Sequence, residues 1–196
     1  MNPKSFFAVW AVLCFASSAF SQSARPGLGS IPHGSGTTFR VWAPHATSMA
    51  VAGEFNDWRA APMARDESGG TWSLDVAGAR AGQRYKYLVN GTTWKRDPRA
   101  RQVSETTRDG IVYDPDAFDW GDAPIPKPER NDLVLYQLHV GTFAGQTPPA
   151  TLDDAIARLD HVRALGVNAV VLMPVNEFPG KLSWGYNPSD LFAVEA

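Results

Sequence analysis

The sequence predicts a multi-domain chain of two unlike parts, an N-terminal immunoglobulin-like β-sandwich followed by a single βαβ unit of a parallel α/β domain. Three observations carry this. Short alternating apolar runs separated by turn residues fill residues 37 to about 114. A strand, an amphipathic helix and a second strand succeed one another from 132 to 173. A proline-rich stretch lies between the two blocks.

In the first block the runs are TFRVW (38–42), MAVAG (49–53), TWSLDV (71–76), RYKYLV (84–89) and GIVYD (110–114). Turn signals at Ser68-Gly69-Gly70, Gly78 to Gly82 and Asn90-Gly91 divide them. Period-two alternation places Phe39 and Val41 on one face, and likewise Trp72, Leu74 and Val76, so these strands cover a core on one side. About six or seven such strands make a sandwich. Pro124, Pro126 and Pro128 then fall within 122–130, where missing amide donors and fixed φ angles favour an extended spacer.

The second block reads as strand 132–140, helix 151–165 and strand 169–173, followed by the loop WGYNPSDLF (184–192). Leu152, Ala155, Ile156, Leu159, Val162 and Leu165 form the helix's apolar stripe, and Gly166 stands where a C-terminal cap belongs. Strands of a parallel sheet are built for burial on both faces. Two of them cannot cover themselves, so Leu133, Leu135, Val170, Val171 and Leu172 are expected to expose apolar surface, with aggregation or disorder past about residue 130.

The N-terminus reads as a cleaved leader. Lys4 precedes an apolar run from Phe6 to Ala16, and Ala19 and Ser21 are small residues at the two positions a signal peptidase reads. The run is too short to span a bilayer. Cys14 lies inside it, preceded by Leu13 where a lipid-attachment site requires a small residue. The expected domains are therefore a signal peptide over 1–21, a flexible segment over 22–36, the sandwich over 37–121, the linker over 122–130 and the α/β part over 131–196. The mature chain is expected to be secreted or periplasmic and to hold together without disulfides. With 18 Lys and Arg against 20 Asp and Glu, one lysine of them in the leader, it has no broad attraction to nucleic acid or anionic membranes. The expected partner is neutral.

Aromatic placement supplies the first chemical signal. Trp58 closes GEFNDW (53–58) just after a strand, and Trp94 follows the Asn90-Gly91 turn, whereas Trp72 alternates with Leu74 and Val76 and belongs to the core. An exposed indole suits the C–H face of a sugar, whose hydroxyls need partners such as Lys86 or Asn56. The register of the hairpin decides whether Trp94 and Lys86 cooperate. A two-residue turn at Asn90-Gly91 pairs Tyr87 with Trp94 and puts the indole opposite Lys86; a three-residue loop over 90–92 pairs Leu88 with Trp94 and puts the two together. Asn90-Gly91-Thr92 also fits a glycosylation site, although Asn-Gly is first of all a hairpin turn.

FRVWAP (39–44), VAGEFNDW (51–58), YKY (85–87) and WKRDP (94–98) together resemble a family 48 carbohydrate-binding module. The resemblance implies a sugar platform of Trp58, Trp94 and Lys86. Two departures accompany it: Asp109-Gly110 stands where binding members often have Asn, and the hairpin holds one residue more. In enzymes of this family the module often serves for docking alone. LYQLHVGTF (135–143), LDHVRALGVNAVVLMPVNEFPG (159–180) and WGYNPSDLFAVE (184–195) resemble the opening of the catalytic domain of glycoside hydrolase family 13, with branching, isoamylase-type and trehalohydrolase members nearest. That resemblance implies the start of an incomplete (β/α)8 TIM barrel in which Tyr186 stacks on the bound sugar, at the strand end where such barrels place their sites. The nucleophile, acid/base and stabilising carboxylates come from later strands.

Glycoside hydrolysis needs two carboxylates at a set separation. Asp153-Asp154 does not supply them, because Thr151 three residues before Asp154 makes a helix cap. Glu177, Asp190 and Glu195 show no fixed pairing, and His33, His45, His139 and His161 lack metal-site spacing. His139 reads as a hydrogen-bonded barrel residue. No catalytic residue, metal or cofactor is therefore assigned. The expected function is that of an N-terminal fragment of an exported α-glucan-active hydrolase or transglycosylase, acting on α-1,4 or α-1,6 bonds and inactive by itself. The alternatives are a non-catalytic glycogen- or starch-binding module and a plain immunoglobulin-like interaction domain.

Overall fold

The computed structural model describes residues 22–66, 69–105, 107–124, 127–145 and 149–195. The leader with Cys14, Ser68 of one expected turn and Pro126 of the linker lie outside the described residues.

Among the described residues nine strands build the first part: β1 (Gly29–His33), β2 (Gly36–Trp42), β3 (Met49–Gly53), β4 (Ala61–Pro62), β5 (Ala64–Arg65), β6 (Thr71–Ala77), β7 (Arg84–Val89), β8 (Thr93–Lys95) and β9 (Gly110–Ile111). One antiparallel sheet has the order β1-β2-β6-β5 and the other β4-β3-β7-β8, with β9 on the same edge of β7 as β8. Phe39 and Val41 of β2 and Trp72 of β6 meet Met49 and Val51 of β3 and Tyr85 and Tyr87 of β7 in one buried core. Alternation decides this: each inward residue has an outward neighbour, so both sheets offer one apolar face. Phe39 packs between Phe55 and Tyr85 at centroid distances of 5.0 and 4.8 Å.

A carboxyl is buried among the core tyrosines. Tyr85 and Tyr87 donate their hydroxyls to Asp97 Oδ2 at 2.7 and 3.3 Å, and the Arg99 amide donates to Asp97 Oδ1 at 2.8 Å. Burial pushes the Asp97 carboxyl above its ordinary range and both phenols well above theirs. Asp97 is thus what lets two tyrosines fill the core with their polar ends satisfied.

Residues 22–36, expected to be flexible, are part of the sandwich. β1 pairs with β2 from Gly29↔Arg40 to His33↔Gly36. Ahead of it the Ser23 amide donates to Ser73 Oγ at 2.9 Å, and Arg40 donates to the Ser23 carbonyl. An edge strand such as GSIPH is held by main-chain bonds and carries a single large apolar residue, so no alternation announces it.

In the second part β10 (Leu135–Leu138) and β11 (Ala169–Leu172) pair in parallel, Leu135 opposite Ala169 and Leu138 opposite Leu172. Helices α1 (Val140–Phe143), α2 (Leu152–Ile156) and α3 (Leu159–Ala164) lie between them in the chain. The single helix expected over 151–165 is broken at Arg158, whose φ of −109° and ψ of 3° leave the helical region. The apolar stripe continues across that break, which is why periodicity misses it. Thr151 and Asp154 cap α2 reciprocally, as expected: the Asp154 amide donates to Thr151 Oγ1 and the Thr151 amide to Asp154 Oδ2. Leu133, Leu135, Val170, Val171 and Leu172 are exposed, as two unpartnered parallel strands require.

The segment expected to be a loop to residue 192 contains a strand instead. β12 (Asn176–Glu177) and β13 (Asp190–Val194) form an antiparallel pair with Glu177 opposite Asp190. β13 lies against the sandwich, where Ala193 is fully buried with Ala100 and Val103.

Candidate functional site

The β7–β8 hairpin settles the register question. Val89 pairs with Thr93 and Leu88 with Trp94, so Asn90, Gly91 and Thr92 form a three-residue connection. Asn90 and Gly91 both have positive φ, 52° and 69°, as a tight hairpin turn demands, and Thr92 is the extra residue. Asn90 Oδ1 accepts from the Thr47 amide at 2.8 Å and from Thr47 Oγ1 at 3.0 Å, so its side chain serves the turn. Directly opposed residues share a face, and residues two apart along a strand do too. Trp94, Leu88 and Lys86 therefore stand together on the outer face, while Tyr85 and Tyr87 point into the core.

Trp58 approaches from the far end of β3. A short 3-10 turn (Glu54–Asn56) follows Gly53, and then Asp57 and Trp58 take φ of 52° and 58°. Two consecutive non-glycine residues in the left-handed region are uncommon and cost energy, a pattern that clusters at functional positions. Asn56 fixes the loop: its Oδ1 accepts from the Gly53 amide at 2.9 Å, and its Nδ2 donates to the Arg59 carbonyl at 2.7 Å. Asn56, expected as a sugar partner, thus spends its side-chain oxygen and nitrogen on its own loop. Trp58 is 37% exposed and Trp94 46%.

Lys86 lies between these two approaches along the sheet. Ala52 pairs with Lys86, one pair closer to the Trp58 loop than the Ala50–Leu88–Trp94 row is, counting residues of the same face. Its ammonium is engaged. Nζ sits 2.5 Å from Asp109 Oδ1 and donates to the Thr107 carbonyl at 3.2 Å. Asp109 is buried and also accepts from Thr107 Oγ1 at 2.5 Å. The Asp109 noted in the sequence is therefore a tether on Lys86.

Tyr186 sits on the connection between β12 and β13 and is 66% exposed. The preceding glycine explains its placement. Gly185 has φ +83°, and a Cβ there would lie 2.0 Å from the Pro174 carbonyl oxygen, just past β11. Only glycine allows the loop to lean on the end of that strand. His139, just after β10, bonds through Nε2 to the Ser183 carbonyl at 2.9 Å and through Nδ1 to Thr142 Oγ1 at 3.1 Å, so it orders the same loop. Beside it lies a cavity of about 450 Å³ between the ends of β10 and β11, lined by His139, Thr142, Asp153, Phe178, Lys181 and Glu195 among others. Tyr186 does not line it. The structure brings Trp94 and Lys86 together and places Tyr186 on a separate element.

Glu177 and Asp190, read from sequence as unpaired, are held by arginines of the sandwich. Arg108 Nη1 donates to Glu177 Oε1 at 2.5 Å, and Arg96 Nε lies 2.6 Å from Asp190 Oδ1. Arg99 packs over the Phe192 ring at 4.3 Å. Glu177 is 3% exposed, and its burial, with the Glu195 carboxylate close by, lifts its carboxyl above the ordinary range. Sequence reasoning missed Arg96, Arg99 and Arg108 because their partners are some 70 to 95 residues away in the chain. Among the described residues no group of His, Cys, Asp and Glu is arranged to hold a metal ion.

A family model described as "Carbohydrate-binding module 48 (Isoamylase N-terminal domain)" matches residues 27–115. Malto-oligosyltrehalose trehalohydrolase of Saccharolobus solfataricus is 35% identical over 161 residues, 82% of this chain and 28% of that protein. The 1,4-alpha-glucan branching enzyme GlgB of Picrophilus torridus is 34% identical over 167 residues, 81% of this chain and 24% of its own length. The chain thus spans about a quarter of the curated relatives it matches. Among solved structures, a putative alpha amylase from Salmonella typhimurium superposes with a TM-score of 0.77 at 27% identity, covering 90% of this chain and 29% of that one. A pullulanase from Anoxybacillus sp. LM18-11, crystallised with maltotetraose, gives 0.72 at 26%, covering 88% and 30%.

Proposed function

We propose, since this chain belongs to the glycoside hydrolase family 13 enzymes that carry a carbohydrate-binding module 48, here over residues 27–115, that it forms the N-terminal region of an exported α-glucan-active enzyme. Residues 131–196 are then the opening of a (β/α)8 barrel. The α-1,4 or α-1,6 bond is hydrolysed or transferred with retention by carboxylates on later strands. The fates of the local carboxylates support this: Asp154 caps a helix, and Glu177 and Asp190 are bound to arginines. The leader over 1–21 carries the reading of export to the periplasm or beyond.

The sandwich contributes glucan binding through Trp94, Lys86 and Trp58, and Tyr186 adds a stacking ring on the barrel side. The observation that carries the platform is the Leu88↔Trp94 register, since a slip of one residue would send the indole to the other face. Affinity electrophoresis in glycogen tests it. The parent chain is expected to be retarded, and Trp94→Ala and Trp58→Ala to be less so; unchanged mobility in both variants would leave these rings structural.

A stand-alone glycogen- or starch-binding module is the second reading. The buried contacts of Glu177 and Asp190 with the sandwich favour the first, because burying two carboxylates is costly and serves a fixed junction between parts. Sequencing the coding DNA past codon 196 separates the two. Continuation in frame through further strand–helix units supports the enzyme, and a stop codon at that point supports the module.

A further inference from the structure

We propose that Arg108 is a positioning residue that fastens both stems of loop 178–189 to the sandwich and so sets where Trp184 and Tyr186 stand. Glu177 is the last residue before this loop and Asp190 the first after it. Arg108 reaches both sides. Nη1 donates to Glu177 Oε1 at 2.5 Å, Nη2 donates to Ser189 Oγ at 2.8 Å, and Asp190 Oδ2 lies 3.8 Å from Nη2.

The stems need such help. β12 and β13 share two paired positions with an irregular register between them, and beyond these the Ser189 amide bonds the Glu177 carbonyl at 2.8 Å, the Glu195 amide the Val175 carbonyl at 2.9 Å and Asn176 Nδ2 the Leu191 carbonyl at 2.9 Å. A pairing that short is marginal by itself. Glu177 and Asp190 are 3% and 7% exposed, so their carboxylates need protein partners in place of water: Arg108 for Glu177, and Arg96 with the Ser189 hydroxyl for Asp190. The planar guanidinium suits the task, since its fixed fork spans acceptors on two strands where one ammonium would choose between them. Arg96 on Asp190 and Arg99 on Phe192 extend the same fastening along β13.

Arg108 is itself held. Its φ is +56°, its amide donates to the Ser104 carbonyl at 2.9 Å, and the Ser104 amide donates to the Asp109 carbonyl at 2.9 Å. Asp109 is the residue that tethers Lys86. One turn of the sandwich therefore faces the indole platform through Asp109 and the Tyr186 loop through Arg108. The functional consequence, an aligned sugar-stacking ring, rests on the reading of Tyr186 given above; the fastening does not.

Hydrogen–deuterium exchange on the full 196-residue chain tests it. Arg108→Gln is expected to speed exchange over 178–189 about tenfold or more, as loss of charge-assisted hydrogen bonds implies, with peptides over 84–89 unchanged. Arg101→Gln, at an exposed position of the same segment, should leave both alone. Unchanged exchange over 178–189 in Arg108→Gln overturns the proposal. If Arg108→Gln unfolds the whole chain, Arg108→Lys, which keeps the charge and loses the fork, must still loosen 178–189 selectively or the proposal fails. Binding of maltoheptaose by Tyr186→Ala is measured alongside. Unaltered binding there, with the loop still loosened by Arg108→Gln, would remove the sugar role of Tyr186 and leave the fastening in place.

Discussion

The ammonium of Lys86 lies 2.5 Å from the buried carboxylate of Asp109, on the face that also presents Trp94. The ion pair with Asp109 and the bond to the Thr107 carbonyl hold this ammonium, and it must leave part of these contacts to offer all three donors to sugar hydroxyls. Asp109→Asn keeps the shape and removes the charge. It is expected to strengthen maltoheptaose binding about tenfold, the value of one hydrogen bond to a charged group. Isothermal titration with Asp109→Asn and with Lys86→Ala/Asp109→Asn checks this: the gain should vanish in the double variant. No gain in the single variant would place Lys86 outside the sugar contact.

Trp58 has φ +58°, where a side chain costs about 1–2 kcal/mol and glycine almost nothing. Trp58→Gly is therefore expected to be more stable than Trp58→Ala by about 1 kcal/mol, although it deletes no less of the side chain's contacts. Urea denaturation of the two variants gives the difference. Equal midpoints would show that the loop relaxes once the ring is gone.

Asp97 accepts from Tyr85 and Tyr87 deep in the core. Asp97→Ala leaves two buried hydroxyls unpaired and should cost about 3 kcal/mol or more. Asp97→Asn retains an acceptor and should cost less. The same pair of proteins reads the pH dependence. Burial raises the Asp97 carboxyl in the folded state, so the native protein binds that proton more tightly than the unfolded chain does. The stability of the parent relative to Asp97→Asn is then expected to fall as pH rises from the ordinary carboxylate range through the raised folded value, and to level off above it. A relative stability that climbs over that range would mean that the phenol hydrogen bonds, and not burial, set the titration.

Gly185 leans on the Pro174 carbonyl at a distance no Cβ tolerates. Gly185→Ala must push loop 178–189 off the end of β11. The bond from His139 Nε2 to the Ser183 carbonyl is expected to break with it, seen as a changed His139 imidazole signal in NMR. An unshifted imidazole would show that the loop yields elsewhere.

Much of the sandwich was legible because its signal is local. β3 and β7 coincide with the alternating runs 49–53 and 84–89, and Trp72 is in the core where its alternation with Leu74 and Val76 put it. The helix cap at Thr151 and the parallel pairing of β10 with β11 were equally readable. The elements that escaped are those whose stability comes from elsewhere. β1 is held by β2, β13 by residues near 100, and the break at Arg158 interrupts no pattern.

The candidate site divides along the same line. Trp58, Trp94 and Lys86 were suggested by residue type and neighbourhood, but their joint role and that of Tyr186 came from the family resemblance, which rests on short motifs of adjacent positions. Whether Trp94 shares a face with Lys86 turned on one residue of hairpin register, and two turns were compatible with the same letters; the pairing with Leu88 decided it. That Asp109 would restrain Lys86, and that Arg108 and Arg96 would pair with Glu177 and Asp190, depends on contacts across 23 to 94 residues of chain. The amino-acid order by itself determined the two kinds of layer, the aromatic candidates and the family, because periodicity and short motifs are properties of neighbours. Only the tertiary structure decided which charges meet, since an ion pair forms between atoms close in space and leaves no trace in the spacing of its partners.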